Sequence, residues 1–413
     1  MASSTRVLII VENLTVPFDR RVWMEATSLV EAGFQVAVIC PTGGEFVRPY
    51  ERLEGVAIYR YPSPQATRGH LSYFWEFLYC WVMTAYLSFK VLRREGFDVI
   101  QACNPPDTFF LLAWFYKLLG KKFVYDQHDL CPEVYLARFK RRPNLLYRGL
   151  LALERLTYAT ADLVIVTNES YREVAARRGR VRPERIVVVR SAPDVRRFRA
   201  AVPDPAARRG RQHLVAYLGV MAPQDGVDLL IDAIEHIVKH RERTDISFVL
   251  IGSGDSYDDL RALAHERGLD EHVAFTGRVP DEEVARLISS ADVCVSPDPK
   301  NDLNDRSTMN KVLEYMALGR PIVAFDLKET RYSAGDAALY ARPNDAADFG
   351  DQVLALLADP ARRAAMGRSG QERLRDHLAW SHSRTALVRS YARLAGLRPR
   401  LRGLVAPAAG GVR

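Results

Sequence analysis

The chain lacks several features that would place it in well-known classes of protein. Its 413 residues contain five cysteines and no C-x-x-C pair, which argues against a zinc site and a disulfide framework and fits a reducing cytosol. The opening residues, MASSTRVLIIVENL, hold too short an apolar run for a signal peptide. No recognised nucleic-acid-binding module occurs in the sequence, so we expect no nucleic-acid partner.

Two motifs for phosphate chemistry are also missing. No D-x-D string occurs in the chain, so a metal-held diphosphate is not indicated and we expect no metal site. No G-x-G-x-x-G follows the first apolar run, which argues against a nicotinamide dehydrogenase. Residues 71–94 are apolar enough to be mistaken for a membrane span, but Glu76 and many aromatic residues interrupt them. We therefore predict a buried or interface helix there.

Short apolar runs alternate with helical patterns along the whole chain, which is typical of parallel α/β architecture. The alternation predicts two doubly wound units, residues 1–195 and 213–375, with a ligand cleft between them. Residues 196–212 are charged and contain proline, so they read as a linker. We expect a helix at 376–395 that returns to the first unit, and a disordered tail at 396–413.

The stretch DRSTMNKVLEYMALGRPIVA, residues 305–324, holds the strongest local signal. Its apolar residues recur at helical spacing, Ser307 or Thr308 can cap the start, and Gly319 can end the helix before a strand. Lys311 and Glu314 are three residues apart and project from one side of this helix. A surface salt bridge is the simpler interpretation of that pair.

A binding site is the alternative interpretation of the same stretch. A helix N-terminus attracts anions, and Arg306 and Lys311 add two cations near it, which suits a diphosphate. Glu314, one turn further on, could accept both hydroxyls of a ribose. A diphosphate beside a ribose is what a nucleotide sugar presents.

Three segments together resemble one enzyme family. KVLEYMALGRPIVA, between VSP and GDAALY, resembles the donor-binding motif of the GT-B glycosyltransferases of family 4. VPFDRRVWMEATSLVEAGFQVAVIC resembles the opening of that family, and DQHDLCPE resembles its acceptor-side loop. The resemblance covers about residues 1–395 and implies two Rossmann-like domains and a retaining transfer. It is strongest to the subgroup that builds bacterial exopolysaccharide and O-antigen units on lipid carriers.

The resemblance also implies roles for particular residues. Glu314 would hold the donor ribose, and Lys311 would lie near the diphosphate. His128, followed by Asp129 at the end of a strand, would face the transferred sugar, although a lone histidine is often merely structural. Four further residues would border the nucleotide; they are Gly252 and Gly254, whose pair of glycines is a weak signal by itself, and Arg278 and Val279 beside the base.

The sequence departs from the family pattern at the donor site. Arg306 stands where the first of two spaced acids is usual, so Asp305 or Asp302 stands in for that acid or the sugar contact differs. Val220 and Asp225 occupy the places of an arginine and a lysine that normally grip the diphosphate. We therefore expect Arg306 and Lys311 together to neutralise the diphosphate, with Ser307 and Thr308 beside it.

The first domain departs from the pattern as well. The glycine-rich loop often found after the first strand is replaced by NLTVPFDRR. Its last residues, Asp19, Arg20 and Arg21, could contact an acceptor phosphate, and a salt bridge at a helix start accounts for them equally well.

The predicted activity is transfer of a hexose or amino-hexose from a nucleoside diphosphate sugar to a saccharide acceptor, such as a polyprenyl-diphosphate-linked one. No cofactor is expected, because the nucleotide sugar is a substrate. The alternatives are a sugar-nucleotide epimerase or hydrolase of the same fold, and a non-catalytic binding protein.

The charge distribution bears on the location of the protein. Residues 131–200 hold 16 Lys and Arg against 7 Asp and Glu, an excess of +9 within a chain whose net charge is +8. Such a stretch suits an anionic membrane surface or a phosphorylated substrate, and a solvated arginine-rich face is the alternative. We expect a cytoplasmic protein, with attachment to the inner face of the cell membrane left open.

Overall fold

The computed structural model describes residues 5–63, 70–139, 141–193 and 199–396. These residues divide into two compact units. The first takes the described parts of Met1–Pro132, Pro143–Arg190 and Ser381–Arg413, and the second takes those of Glu133–Arg142 and Ser191–Trp380. The predicted tail from residue 397 onward, and residues 196–198 of the predicted linker, lie outside the described residues.

The first unit is built on an eight-stranded sheet in the order β3-β4-β2-β1-β5-β6-β7-β8, parallel except for β3, which pairs antiparallel with β4. Its strands are β1 Arg6–Ile10, β2 Gln35–Pro41, β3 Tyr50–Leu53, β4 Val56–Tyr61, β5 Val99–Cys103, β6 Lys122–Gln127, β7 Leu163–Val166 and β8 Ile186–Val188. The α-helices along this part of the chain are α1 Arg20–Glu31, α2 His70–Arg94, α3 Phe110–Leu118, α4 Cys131–Arg138, α5 Leu145–Thr160 and α6 Glu169–Arg177.

The second unit has a six-stranded parallel sheet in the order β11-β10-β9-β12-β13-β14. Its strands are β9 His213–Leu218, β10 Ile246–Ile251, β11 Val273–Gly277, β12 Val293–Ser296, β13 Ile322–Phe325 and β14 Ala338–Ala341. The α-helices that follow are α7 Val227–Glu235, α8 Tyr257–Glu266, α9 Asp281–Ser290, α10 Asn310–Ala317, α11 Lys328–Ala334, α12 Ala346–Leu357 and α13 Pro360–Arg373, and the last, α14 Trp380–Leu394, belongs to the first unit from Ser381 onward.

The strands form because their residues are apolar on both faces. In β1, for example, RVLII is buried from Val7 to Ile10, as expected for a parallel sheet covered by helices on both sides. The predicted fold class, two parallel α/β units of Rossmann type, is confirmed.

The strand order also locates a switch point in each sheet. The chain moves to opposite sides of β1 in the first unit and of β9 in the second, so the loops at the carboxyl ends of these central strands diverge and leave room for a ligand. His128 follows β6 in the first unit, and Asp298 follows β12 in the second.

The helix predicted around residue 310 begins later than the sequence suggested. It starts at Asn310 with Met309 at the N-cap position, so neither Ser307 nor Thr308 caps it and that prediction was wrong. A 3-10 turn at Asn304–Arg306 precedes the helix, and the Ser307 hydroxyl donates back to the Leu303 carbonyl at 2.8 Å. Gly319, with φ of +65°, ends the helix as predicted.

The apolar segment 71–94 is helical, as α2. Among the described residues, no helix combines the length and apolar character needed to cross a membrane. Several of its large side chains are exposed, Tyr86 and Val82 among them, so the helix is not fully buried, and the predicted alternative of an interface helix stays a prediction.

Candidate functional site

Lys311, in the first turn of α10, is held by a buried carboxylate. Its Nζ donates to Asp298 Oδ1 at 2.7 Å, and both side chains are at least nine-tenths buried. Asp298 lies two residues beyond the end of β12, where Ser296 Oγ donates to its other oxygen. Because two polar partners hold this carboxylate, the lysine beside it has a fixed position.

An aromatic ring and a second carboxylate complete this arrangement, which we call the Lys311 cluster: Lys311, Asp298, Tyr217 and Asp225. The ammonium lies 5.1 Å from the centre of the Tyr217 ring. Burial raises the pKa of Asp225 to about 6, Lys311 acts in the opposite direction, and Asp298 adds to the rise. The cluster therefore carries one cation and two acids, one of which changes charge near neutral pH.

The remaining donor-side residues lie around the start of α10. Glu314 is half-buried, one turn beyond Lys311 on the same helix. Arg306 Nη1 donates to the Asp302 carbonyl at 2.9 Å, and its Nη2 lies 3.5 Å from the Asp302 carboxylate. Asp305 accepts from the Lys328 backbone N–H at 2.9 Å. Both candidate stand-ins for the missing acid thus have partners, Asp302 in Arg306 of its own loop and Asp305 at the start of α11.

The two glycines after β10 have a structural reason to be glycine. A Cβ on Gly252, where φ is +132°, would lie 1.9 Å from the Gly219 carbonyl oxygen, and one on Gly254 would lie 2.4 Å from that of Met221. The loops after β9 and β10 therefore approach each other closely. Their role beside a nucleotide stays a prediction. Beyond β11, Arg278 is exposed, and Val279 packs against the core of the unit.

His128, at the carboxyl end of β6, lies against a buried ionic network in the first unit. Its Nε2 hydrogen-bonds Asp126 Oδ2 at 2.8 Å. Burial disfavours charge on the imidazole, but Asp126 outweighs it and raises the pKa of His128. The opposite carboxylate oxygen accepts from Arg21 Nη2 at 2.8 Å. Burial would raise the pKa of Asp126, yet Arg21 and His128 together lower it.

Other buried groups fix the far side of this network, which we call the His128 cluster: His128, Asp126, Arg21, Glu25 and Gln101. Gln101 Nε2 donates to Asp126 at 3.0 Å and to Glu25 at 2.7 Å, and its carbonyl accepts from the Tyr391 hydroxyl of α14. Burial and Asp126 raise the pKa of Glu25 to about 8. The network favours a neutral Glu25, a charged Asp126 and a protonated His128.

Asn104 shapes the turn that carries His128 and Asp129. Its Oδ1 accepts from the backbone N–H of His128 at 2.6 Å and of Asp129 at 3.1 Å, and its Nδ2 donates to the Asp129 carbonyl at 2.8 Å. Burial raises the pKa of the Asp129 carboxyl, and His128 opposes that rise.

The three residues predicted to meet an acceptor phosphate start α1. Asp19 caps the helix by accepting from the Val22 N–H at 3.0 Å. Arg21 is buried, and it donates to Asp126 and to the Val189 carbonyl. Arg20 is half-buried at the helix start. For Asp19 and Arg21 the geometry favours the alternative named above, a role in the helix start and its ion pairs.

Three possible metal-ligating groups meet in the described part of the chain: Cys103, Asp126 and His128, whose ligand atoms lie within 4.8 Å of one another. They do not suit a cation. The guanidinium of Arg21 already neutralises Asp126 at 2.8 Å, and burial together with Asp126 raises the pKa of the Cys103 thiol well above its usual value.

Sequence reasoning missed the residues that position the predicted ones. Asp298, Asp126 and Asn104 each lie at or just beyond the carboxyl end of a strand. That placement was the available signal, because polar residues at such ends meet at one edge of a parallel sheet. What the sequence does not show is which of them reaches Lys311 or His128 in space.

Two family models match the chain, one in each half. Residues 19–192 match the glycosyl transferase 4-like domain, and residues 212–359 match the glycosyl transferases group 1.

Curated relatives are glycosyltransferases too. The chain is 25% identical over 321 residues to a 2-deoxystreptamine glucosyltransferase of Streptomyces kanamyceticus, covering 74% of this chain and 80% of the relative. It is 32% identical over 202 residues to a GDP-mannose-dependent phosphatidylinositol monomannoside mannosyltransferase of Mycobacterium tuberculosis, covering 45% of this chain and 50% of that one. The chain thus spans only about half the length of the mannosyltransferase.

Solved structures share the fold over nearly the whole chain. Sucrose-phosphate synthase of Thermosynechococcus elongatus superposes with a TM-score of 0.74 at 19% identity, covering 95% of this chain and 99% of that one. Anabaena HepE in complex with UDP-glucose superposes with a TM-score of 0.68 at 15% identity, covering 95% of this chain and 100% of that one.

Proposed function

We propose that the chain, which matches glycosyltransferase family models in both halves and shares the GT-B fold, transfers a hexose or amino-hexose from a nucleoside diphosphate sugar to a lipid-linked saccharide. The reaction retains the anomeric configuration. The observation that carries this proposal is the buried, positioned Lys311 one turn before Glu314 on α10. A solved structure of the same fold that contains UDP-glucose supports a nucleotide sugar as donor.

In the proposed reaction the second unit binds the nucleotide. Lys311 and Arg306 neutralise the diphosphate, Glu314 accepts the ribose hydroxyls, and Asp298 is a positioning residue that holds Lys311. Negative charge grows on the diphosphate as the glycosidic bond breaks, so fixed cations stabilise the transition state more than the ground state. No residue is assigned as a covalent nucleophile.

The first unit binds the sugar and the acceptor in this proposal. A protonated His128, kept charged by Asp126, donates a hydrogen bond to the transferred sugar or to the leaving phosphate. The turn fixed by Asn104 presents His128 and Asp129 on one loop. The subgroup resemblance supports a lipid-linked acceptor, as does the phosphatidylinositol monomannoside named for the mannosyltransferase relative.

The experiment has a binding step and a transfer step. Thermal-shift screening of the full chain against UDP, GDP and ADP sugars should show a rise in melting temperature for one nucleotide. Glu314→Gln should weaken the binding of that nucleotide by about tenfold or more, because a charged hydrogen-bond acceptor is lost from the site. Glu266→Gln, at an exposed acid of α8, is the matched control and should bind like the wild type.

The transfer step separates the alternatives. Labelled sugar should move to lipid-linked saccharides only when donor and acceptor are both present. Donor turnover without acceptor would indicate an epimerase or hydrolase instead. Nucleotide binding without any turnover would indicate a binding protein. A thermal shift of Glu314→Gln as large as that of the wild type would contradict the assignment of Glu314 to the ribose.

A further inference from the structure

Two neighbouring helices of the first unit expose apolar side chains in regular stripes. On α2 these side chains are spaced by three or four residues, so they lie along one side of the helix. The stripe consists of Trp75, Leu78, Val82, Tyr86 and Phe89; α2 also exposes Phe77 and Tyr79. On α3 a stripe with the same spacing consists of Leu111, Trp114, Phe115 and Leu118, of which Leu118 is 86% exposed. Together the two stripes form what we call the aromatic face.

The aromatic face is continuous across the two helices and reaches a third. The rings of Phe89 on α2 and Phe115 on α3 lie 5.3 Å apart. Trp114 Nε1 donates to Thr160 Oγ1 at the end of α5, at 2.9 Å. α5 adds three exposed leucines of its own, Leu145, Leu146 and Leu156. Contiguous exposed apolar surface of this kind marks an interaction site rather than ordinary surface.

The charges around the aromatic face are mostly positive. The sequences of α2, α3 and α5 contain only two acids, Glu76 and Glu154. Glu154 is buried and pairs with Arg178 at 2.7 Å. The exposed basic residues are Arg93 and Arg94 at the end of α2 and Arg148 and Arg155 on α5. Partners with negative charge are therefore favoured at this surface.

We propose that the aromatic face docks on the surface of a lipid bilayer that contains anionic lipids. Trp and Tyr rings are stable at the boundary between headgroups and acyl chains, and flanking arginines are attracted to anionic headgroups. In this proposal the helices lie on the surface of the bilayer, with their apolar side chains at the boundary between headgroups and acyl chains. This inference rests on the proposed function, because it places the enzyme where a lipid-linked acceptor resides.

A second copy of the chain fits the same surface less well. A symmetric dimer through the aromatic face would place the same patch of both copies together. Such a dimer would bring together two surfaces that both expose Arg148 and Arg155, so it would concentrate positive charge at the interface. An anionic bilayer can bury the apolar stripes and attract the arginines at the same time.

Flotation of the full chain with vesicles tests the proposal. At low salt the protein should float with phosphatidylcholine vesicles that contain 30% phosphatidylglycerol and remain at the bottom with phosphatidylcholine alone. Tyr86→Glu combined with Leu118→Glu should reduce the bound fraction by about tenfold or more. Val47→Glu, which changes another exposed residue of the first unit (65%), should float like the wild type.

The charge and the orientation are tested separately. Arg148→Glu with Arg155→Glu should lower binding by roughly tenfold, whereas Arg368→Glu, on α13 of the second unit, should not. Vesicles should shift the tryptophan emission of the wild type to shorter wavelength, since Trp75 and Trp114 lie on the aromatic face. All variants should keep the wild-type circular dichroism and melting temperature.

Two results would overturn the proposal: a wild-type chain that stays at the bottom with anionic vesicles, or equal flotation of the double glutamate variant and Val47→Glu. Light scattering that shows a dimer dissociated by the double variant would assign the surface to a second copy instead. Nucleotide binding is read independently by thermal shift. A chain that floats but binds no nucleotide sugar would therefore contradict the proposed function and leave this inference intact.

Discussion

At the scale of single residues, Asp225 makes the charge around Lys311 depend on pH. It stands where the family resemblance leads one to expect a cation, so the site has lost one positive charge and gained one ionisable acid. Burial holds the pKa of Asp225 near 6. The Lys311 cluster is therefore close to neutral in mild acid and carries a net negative charge above neutrality.

Donor binding should consequently depend on pH. As the pH rises from 5.5 to 8, Asp225 loses its proton and the affinity of the wild type for a nucleoside diphosphate should fall by about tenfold. Asp225→Asn should bind more tightly than the wild type at pH 8, and the gap should close at pH 5.5. Calorimetric titration at each pH measures this. Asp228→Asn, which changes an exposed acid of α7, should titrate like the wild type.

The raised pKa of Asp225 also makes the stability of the fold depend on pH. The sign of this dependence is opposite to that of an acid whose pKa is lowered by a salt bridge. The pKa of Asp225 is about 6 in the folded chain, against the usual 3.8. Between these two pH values the folded state therefore binds more protons than the unfolded state. Stability should fall as the pH rises from about 4 to about 6, and then level off. Asp225→Asn should remove that decline, and an unchanged profile would contradict the shift.

The His128 cluster contains two buried acids that should respond differently to amide substitution. Asp126→Asn removes the carboxylate that pairs with Arg21 at 2.8 Å and leaves the guanidinium beside the Glu25 carboxyl at 3.1 Å. It should cost about 3–5 kcal/mol of unfolding free energy. Glu25→Gln replaces a carboxyl that is already neutral near pH 7 and should cost about 1 kcal/mol or less. Urea unfolding measures both. Equal losses would mean that Glu25 is charged in the folded chain.

At the scale of elements, the sequence predicted what periodicity and glycine determine. The alternation of apolar runs located the strands, and the end of α10 at Gly319 follows from its positive φ. The start of α10 was not predictable, because the Ser307 hydroxyl has a local carbonyl partner that only the fold of the preceding turn creates. Likewise Lys311 was recognised from the motif, but its partner Asp298 depends on which strands are neighbours.

The close approach of the loops after β9 and β10 gives a test at this scale. Gly252→Ala would place a methyl group 1.9 Å from a backbone oxygen at a positive φ, so the loops must separate. We expect a loss of several kcal/mol in unfolding free energy. Gly268→Ala, also at positive φ but with no atom within 4 Å of the added carbon, should cost only about 1 kcal/mol. Denaturant midpoints of the two variants provide the comparison.

At the scale of the whole molecule, the first unit is made from both ends of the described chain. Its last helix, α14, buries Leu387, Val388 and Tyr391, and the Tyr391 hydroxyl donates to Gln101 of β5. Gln101 in turn holds Asp126 and Glu25. The distant C-terminal helix thus supports the network on which His128 depends.

Tyr391→Ala should therefore destabilise the first unit by about 3–5 kcal/mol and leave the second unit unaffected. Calorimetry should show one thermal transition shifted downward, while the transition that responds to nucleotide keeps its position. Tyr86→Ala removes an exposed tyrosine of the same unit and should shift neither. If both transitions moved together in Tyr391→Ala, the two units would not unfold independently.

The place of α14 has a consequence for biosynthesis. The strands of the first sheet are synthesised early. The helix α14, whose Tyr391 is buried in the core of the same unit, begins nearly two hundred residues after the end of β8, Val188. Since domains generally fold as their chain emerges, the second unit is the one able to finish during translation. The first must wait, with a gap in its core, until α14 has been synthesised and has left the ribosome, and in that interval it depends most on chaperones.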